Sequence, residues 1–155
     1  MVIEQERDGF VVSTDPARID VAAVHAYLTR SHWAAGISRE IVARSIAGSL
    51  SFGLFAGRQQ IGFARVITDQ ATFAYLADVY VLEAYRGQGL ATWMIDCVVG
   101  HPTLQGLRRF VLVTRDAHGL YAKFGFTPIA HPERYMEKLQ PDIYQRGSVE
   151  EQSGA

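Results

Sequence analysis

The sequence predicts a mixed α/β domain: a central, mostly antiparallel mixed sheet with helices on its faces. Three observations carry this. Strand-length apolar runs and helix-period stretches alternate along the chain in the order β, α, α, three strands, α, β, α, β. The three consecutive strands between 50 and 82 are joined by turns too short for anything but antiparallel neighbours. And 155 residues, 48% of them hydrophobic, are enough for one domain that buries roughly 70% of its unfolded surface without disulfide or metal staples.

Residues 9–13 (Gly-Phe-Val-Val-Ser) read as the first strand, closed by Thr14-Asp15-Pro16. Asp20 caps a helix whose Val21, Val24, His25 and Leu28 share one face, which makes His25 a packing residue. Ser38 caps a second helix carrying Ile41, Val42 and Ile46. Strands over 50–56 and 61–68 flank the Gly57–Gln60 turn, and Asp69-Gln70 turns the chain into a long β run over 71–82. A loop over 83–89 leads into a helix over 90–99 with Leu90, Met94, Cys97 and Val98 inward, so Cys97 is a small core hydrophobe. A strand over 109–114, a helix over 117–124 and strands over 126–129 and 135–139 complete the domain, which spans 1–146. Residues 147–155, polar and small apart from Val149, read as a frayed tail.

Composition excludes several function classes. Fifteen Lys and Arg against sixteen Asp and Glu give a net charge of -1, with no electrostatic footprint for nucleic acid or an anionic membrane. No stretch approaches the ~20 apolar residues of a membrane helix. The charged N-terminus lacks a signal-peptide core, and the single cysteine cannot form an intrachain disulfide. A cytoplasmic protein without a metal site is expected.

Chemistry concentrates at Arg86-Gly87-Gln88-Gly89-Leu90-Ala91. This loop joins a strand to a helix N-terminus, where unpaired N–H groups and the positive end of the dipole attract phosphate. Its two glycines let the backbone take φ > 0 and approach an anion closely. The third glycine or alanine of a dinucleotide fingerprint is replaced by Thr92, and the Gly-Lys-Ser/Thr ending of a P-loop is absent.

The segment from Asp78 to Ala91 (Asp-Val-Tyr-Val-Leu-Glu-Ala-Tyr-Arg-Gly-Gln-Gly-Leu-Ala) closely resembles the acetyl-CoA signature of the GCN5-related N-acetyltransferase (GNAT) family, Arg/Gln-x-x-Gly-x-Gly/Ala, met by Arg86, Gly89 and Ala91. About thirty residues on, Ala117-His-Gly-Leu-Tyr-Ala-Lys-Phe-Gly-Phe126 is similar to its second signature, Ala-x-x-Leu-Tyr-x-Lys-Leu-Gly-Phe. The order of elements matches the family fold from end to end. Thr114 stands where many members carry Asn.

The resemblance implies an enzyme that moves the acetyl group of acetyl-CoA to a primary amine of a small molecule or a protein by direct attack on the thioester. The alternative is a non-catalytic acyl-CoA-binding or sensing module of the same fold. It implies that N–H groups of Arg86, Gly87, Gln88, Gly89, Leu90 and Ala91 hold the pyrophosphate. The pantetheine arm would use main-chain groups around Tyr80 and Val81, with Phe124 on its other side. Tyr121 takes the place of the family tyrosine as the acid that protonates the leaving thiolate. Asp78 is the candidate base; Glu83 and His118 are weaker ones, and some members use a water chain instead. Tyr27, His32 and Trp33 are expected to line the acceptor pocket, with Phe73, Tyr75 and Tyr80 offered from facing strands. Members often dimerise through late strands, so the resemblance admits a homodimer. The acceptor, the acyl-chain preference and the pathway are not written in these motifs.

Overall fold

The computed structural model describes residues 1–145; the expected domain boundary at 146 and the tail beyond it lie outside the described residues. Six strands form one sheet in the order β1-β2-β3-β4-β5-β6, antiparallel throughout except for the final β5/β6 pair.

The chain opens with a hairpin, not with one strand. β1 (Glu4–Arg7) pairs with β2 (Phe10–Ser13) around Asp8 and Gly9, at φ 52° and 84°, the left-handed pair that a two-residue turn between twisted strands requires. β1 is Glu-Gln-Glu-Arg and fully exposed. It has no alternation to read, and its charges suit an edge strand that must not recruit a neighbour.

α1 (Val21–Leu28) and α2 (Arg39–Ala47) start where their caps predict. The Asp20 carboxylate accepts from Ala23 N–H at 3.0 Å and Ser38 Oγ from Ile41 N–H at 3.2 Å. His25 Nε2 lies 3.1 Å from the Ile37 carbonyl oxygen, tying α1 to the start of α2. β3 (Leu50–Ala56), β4 (Gln59–Thr68) and β5 (Phe73–Val81) form the antiparallel meander. The β4–β5 turn is built on Asp69, whose carboxylate accepts from Thr72 Oγ1 at 2.6 Å and from three main-chain N–H groups.

The sheet carries a separate core on each face. Phe63 and Tyr80, opposite each other in register, point toward α1 and α2 and pack with Ile19, Val24, Leu28 and Val42. Phe52, Leu54, Ile61, Val66, Leu76 and Val81 point the other way, onto α3 (Leu90–Val99). Leu90, Met94, Ile95, Cys97 and Val98 of α3 are buried there, and burial pushes the Cys97 thiol up to about 11. β6 (Arg109–Leu112) and the short α4 (His118–Ala122) follow.

The strands expected over 126–129 and 135–139 do not form. Pro128 removes a donor from the first, and Pro132 and Pro141 bracket the second; the chain there is irregular apart from one 3-10 turn at Pro132–Arg134. β6 ends at Leu112, two residues before the expected 114, and α4 is five residues long. No helix among the described residues is long and apolar enough to cross a membrane.

Candidate active site

β5 and β6 diverge. They pair from Phe73 to Leu76 against Arg109 to Leu112; β5 then runs on to Val81 with no strand on that side. Within this free stretch Ala64 of β4 faces two residues of β5, because Arg65 pairs with Ala77 and Phe63 with Tyr80. The extra residue is a bulge at Asp78, whose φ of 54° is the left-handed conformation in which Asp is tolerated better than most residues.

The main chain downstream is aimed by alternation. Leu82 N–H donates to the Ile61 carbonyl at 2.8 Å, toward β4. Alternate residues of a strand turn to opposite edges, so Val81, and Val79 two residues earlier, present their N–H and C=O groups to the open side. Tyr80 turns its own toward β4. The main-chain groups turned to this edge are therefore those of Val79 and Val81, in place of the expected Tyr80 backbone, and of these the Val81 carbonyl already accepts from Arg86 Nε.

The glycine loop sits at the end of this edge, over a cavity of about 190 Å³ lined by Val81, Tyr85, Arg86, Gly87, Gly89 and Leu90 among others. Gly87 and Gly89 hold φ of 85° and 80°, and a Cβ at either would meet nothing within 4 Å, so their reason is conformational. The first helical bond is Trp93 N–H to Gly89 O at 3.1 Å. Ahead of it, the six N–H groups from Gly87 to Thr92 find no acceptor among the described residues. The Arg86 N–H is not among them: it closes the 3-10 turn onto the Glu83 carbonyl at 3.2 Å. The Arg86 guanidinium folds back as well, donating from Nε to Val81 O at 2.8 Å and from Nη2 to Tyr27 Oη at 3.1 Å. Gln88 braces the loop from its side chain, through Tyr85 O at 3.0 Å.

Tyr121 is 8% exposed on α4, edge-on to Phe126 at 6.1 Å between centroids. Burial raises its phenol above the ordinary value, and no hydrogen bond joins its hydroxyl to another described residue. Phe124, half-buried, packs at the margin of the same core. Thr114 Oγ1 accepts from Ala117 N–H at 3.0 Å, so its hydroxyl is spent on starting α4. His118 is exposed at the first turn of α4, and Glu83 is exposed in the 3-10 turn.

Residues 47–128 match a family described as the acetyltransferase (GNAT) domain. An acetyltransferase-family protein of Gibberella zeae is 34% identical, over 76% of this chain and 78% of its own length. The chain belongs to the GNAT family of acetyltransferases. A crystal structure of a GNAT-family protein from Xanthomonas campestris pv. campestris superposes with a TM-score of 0.86 at 48% identity, covering 90% of this chain and 99% of that one. More distantly, an acetyltransferase from Clostridium acetobutylicum, solved with acetyl-CoA, shares the fold at 18% identity and TM-score 0.60, over 90% and 96% of the two chains.

On the α1/α2 side of the sheet this acetyltransferase carries an aromatic wall. Tyr27 stacks on Tyr80 at 3.8 Å with 6° between planes, Trp33 stands 6.3 Å from Tyr27, and His32 packs edge-on to Trp33 at 5.0 Å. Trp33 is 43% exposed, yet its indole N–H donates to Asp78 Oδ1 at 2.9 Å. The other Asp78 oxygen accepts from Arg65 Nε at 2.8 Å, and Arg65 Nη1 reaches Ser49 Oγ at 3.1 Å. Both oxygens of the candidate base are thus engaged. Arg65 and Ser49 were not singled out from sequence, although a cation inside the apolar run Phe63-Ala-Arg-Val66 demands a buried partner. Phe73 and Tyr75 do not join the site: they lie at the start of β5, and five residues of strand put Phe73 about 16 Å from Asp78. Among the described residues no group of three or more His, Cys, Asp or Glu could hold a metal ion.

Proposed function

We propose that this acetyltransferase uses acetyl-CoA to acetylate a primary amine of a small molecule or a protein, by direct attack of the amine on the thioester. The observation that carries the reading is the run of six unpaired N–H groups from Gly87 to Thr92 beside the free edge of β5. A diphosphate accepts from such a run without a metal or a lysine, and an amide-bearing arm can pair with the main-chain groups of Val79 and with the Val81 N–H, the Val81 carbonyl being held by Arg86. In this reading the N–H groups of Gly87, Gln88, Gly89, Leu90, Ala91 and Thr92 hold the diphosphate, and that of Arg86 does not.

Acetyl-CoA supplies an activated acyl thioester; the chain supplies position and protons. An alkylamine, with pKa near ~10, must lose a proton before it can attack. Asp78 is a poor acceptor for that proton because Arg65 and Trp33 already hold both oxygens. We assign Asp78 the role of fixing the bulge and Trp33, and assign deprotonation to solvent at the aromatic wall of Tyr27, His32 and Trp33. A strand N–H at the bulge donates to the carbonyl oxygen as negative charge builds on it. The C–N bond forms, the nitrogen gives its second proton to solvent, the C–S bond breaks, and the sulfur takes the Tyr121 proton. Solvent returns a proton to the phenolate. Tyr121, like any phenol, is protonated through the neutral range, and burial raises it further, so the proton is in place when the thiolate forms.

The test is a thermal unfolding scan with acetyl-CoA, CoA and ATP, followed by an amine screen for free-thiol release. Acetyl-CoA at 100 times its Kd adds about 2.7 kcal/mol, which moves the midpoint of a domain this size by roughly 5–10 °C. A shift with acetyl-CoA and none with ATP is the expected result. No shift at saturating acetyl-CoA overturns the reading.

A further inference from the structure

We propose that the Arg86 guanidinium is a positioning group: it locks α1 and the acceptor wall onto the end of β5 and does not bind phosphate. The proposal builds on the reading of the glycine loop as a diphosphate site, but its geometry stands apart from that reading. Arg86 opens the loop, where a cation would be expected to face the anion. Its side chain instead turns back along the chain, with Nε on Val81 O at 2.8 Å and Nη2 on Tyr27 Oη at 3.1 Å. The planar fork of an arginine can bridge two acceptors set apart in this way, and the point charge of a lysine cannot.

What it holds matters for the reaction. Tyr27 lies flat on Tyr80, the residue between the two whose main chain faces the open edge. Two residues upstream of Tyr80, the loop after α1 is pinned to the same strand by Trp33 Nε1 on Asp78 Oδ1 at 2.9 Å. The acceptor wall is therefore fastened at both ends of the free stretch of β5, by Asp78 at the bulge and by Arg86 at Val81. The distance from the wall to an acyl group on that edge is set by these two fastenings. These two bonds use two of the five guanidinium N–H donors and hold the side chain on Val81 and Tyr27. The N–H run from Gly87 to Thr92 can serve a phosphate without the other three.

Three full-length variants decide the matter: Tyr27→Phe, Arg86→Lys and Arg86→Gln. Tyr27→Phe keeps the stacked ring and deletes only the hydroxyl. Hydrogen exchange at the amides of residues 27–36 is measured without ligand, and acetyl-CoA binding is measured by calorimetry. Loss of one tie should speed exchange in that segment by about fivefold in all three variants. Acetyl-CoA affinity should stay within about threefold of wild type for both Arg86 variants. The proposal is overturned if Arg86→Gln weakens acetyl-CoA more than about tenfold while Arg86→Lys restores it, the signature of a phosphate ligand. It is equally overturned if exchange over 27–36 is unchanged in Tyr27→Phe. If wild type binds no acetyl-CoA, the function reading fails, and the exchange result alone decides the role of Arg86.

Discussion

Arg65 Nε and Asp78 Oδ2 meet at 2.8 Å between β4 and β5, with side chains only 15% and 10% exposed. The pair sits where β5 bulges, and Asp78 pays for its place with a φ of 54°. A carboxylate at mid-strand, three residues from the end of the free edge, looks from sequence like a base. In the fold it is a joint: one oxygen holds β4, the other holds Trp33 and with it the loop between α1 and α2.

Breaking the joint should therefore show first in stability. Arg65→Met leaves the Asp78 carboxylate without its cation and should destabilise by about 3 kcal/mol, the lower end of the range for a buried pair deprived of one member. Asp78→Asn keeps one accepting oxygen but sets an amide NH2 against the other donor; it should lower stability too, by less than Arg65→Met because no bare buried carboxylate is left. If Asp78 were the general base, Asp78→Asn would abolish turnover while hardly changing the urea midpoint. The expected result is the reverse ordering, a lowered midpoint with residual turnover.

This pair also shows what the sequence carries and what it does not. Periodicity and caps suffice for α1, α2 and α3, because Asp20, Ser38 and the loop glycines mark the starts and each apolar face faces one core. The glycine loop is legible because the need for left-handed backbone at Gly87 and Gly89 is a property of residue type. β1 is invisible because Glu-Gln-Glu-Arg has no buried face to alternate with. The expected strands over 126–129 and 135–139 fail because a strand exists only with a partner, and the prolines of that stretch keep it from pairing; among the described residues β6 has a neighbour only in β5. The direction of a side chain is harder still. Nothing local tells that Arg86 reaches back to Tyr27, 59 residues earlier.

Gly89→Ala tests the loop itself. At φ 80° with nothing near the added Cβ, the cost to folding is conformational alone, about 1 kcal/mol. The same strain tilts the N–H groups that precede α3, so acetyl-CoA affinity should fall by at least about tenfold, measured by calorimetry. A variant equally destabilised but still binding at wild-type strength would show that the loop is only a turn.

The buried phenols predict the alkaline limb of stability. Burial raises both Tyr80 and Tyr121 above their ordinary value. Below pH about 10 both phenols are protonated in the folded and unfolded chains alike, and stability is flat with respect to them. As pH rises further the unfolded chain ionises first and holds fewer protons than the folded one, so stability falls. Cys97, pushed up to about 11, adds a fall of the same sign that begins near pH ~8.5. Urea midpoints between pH 8 and 11.5 should decline, and the decline should be shallower in Tyr121→Phe and in Cys97→Ala. A flat profile in wild type would contradict the burial of these groups.

Tyr121→Phe is the decisive variant for the chemistry. The hydroxyl has no described protein partner to lose, and the ring keeps its edge contact with Phe126, so the urea midpoint at pH 7 should move by less than about 0.5 kcal/mol. Acetyl-CoA affinity should match wild type, because the loop N–H groups and the β5 edge are untouched. Turnover should fall by roughly 10²–10⁴, the usual contribution of a positioned proton donor. The loss should shrink with an acetyl donor whose thiol has a lower pKa, since a better leaving group has less need of a proton. A Tyr121→Phe enzyme that turns over at the wild-type rate, or whose defect is the same for both donors, would take the acid role away from Tyr121 and leave it a core aromatic of α4.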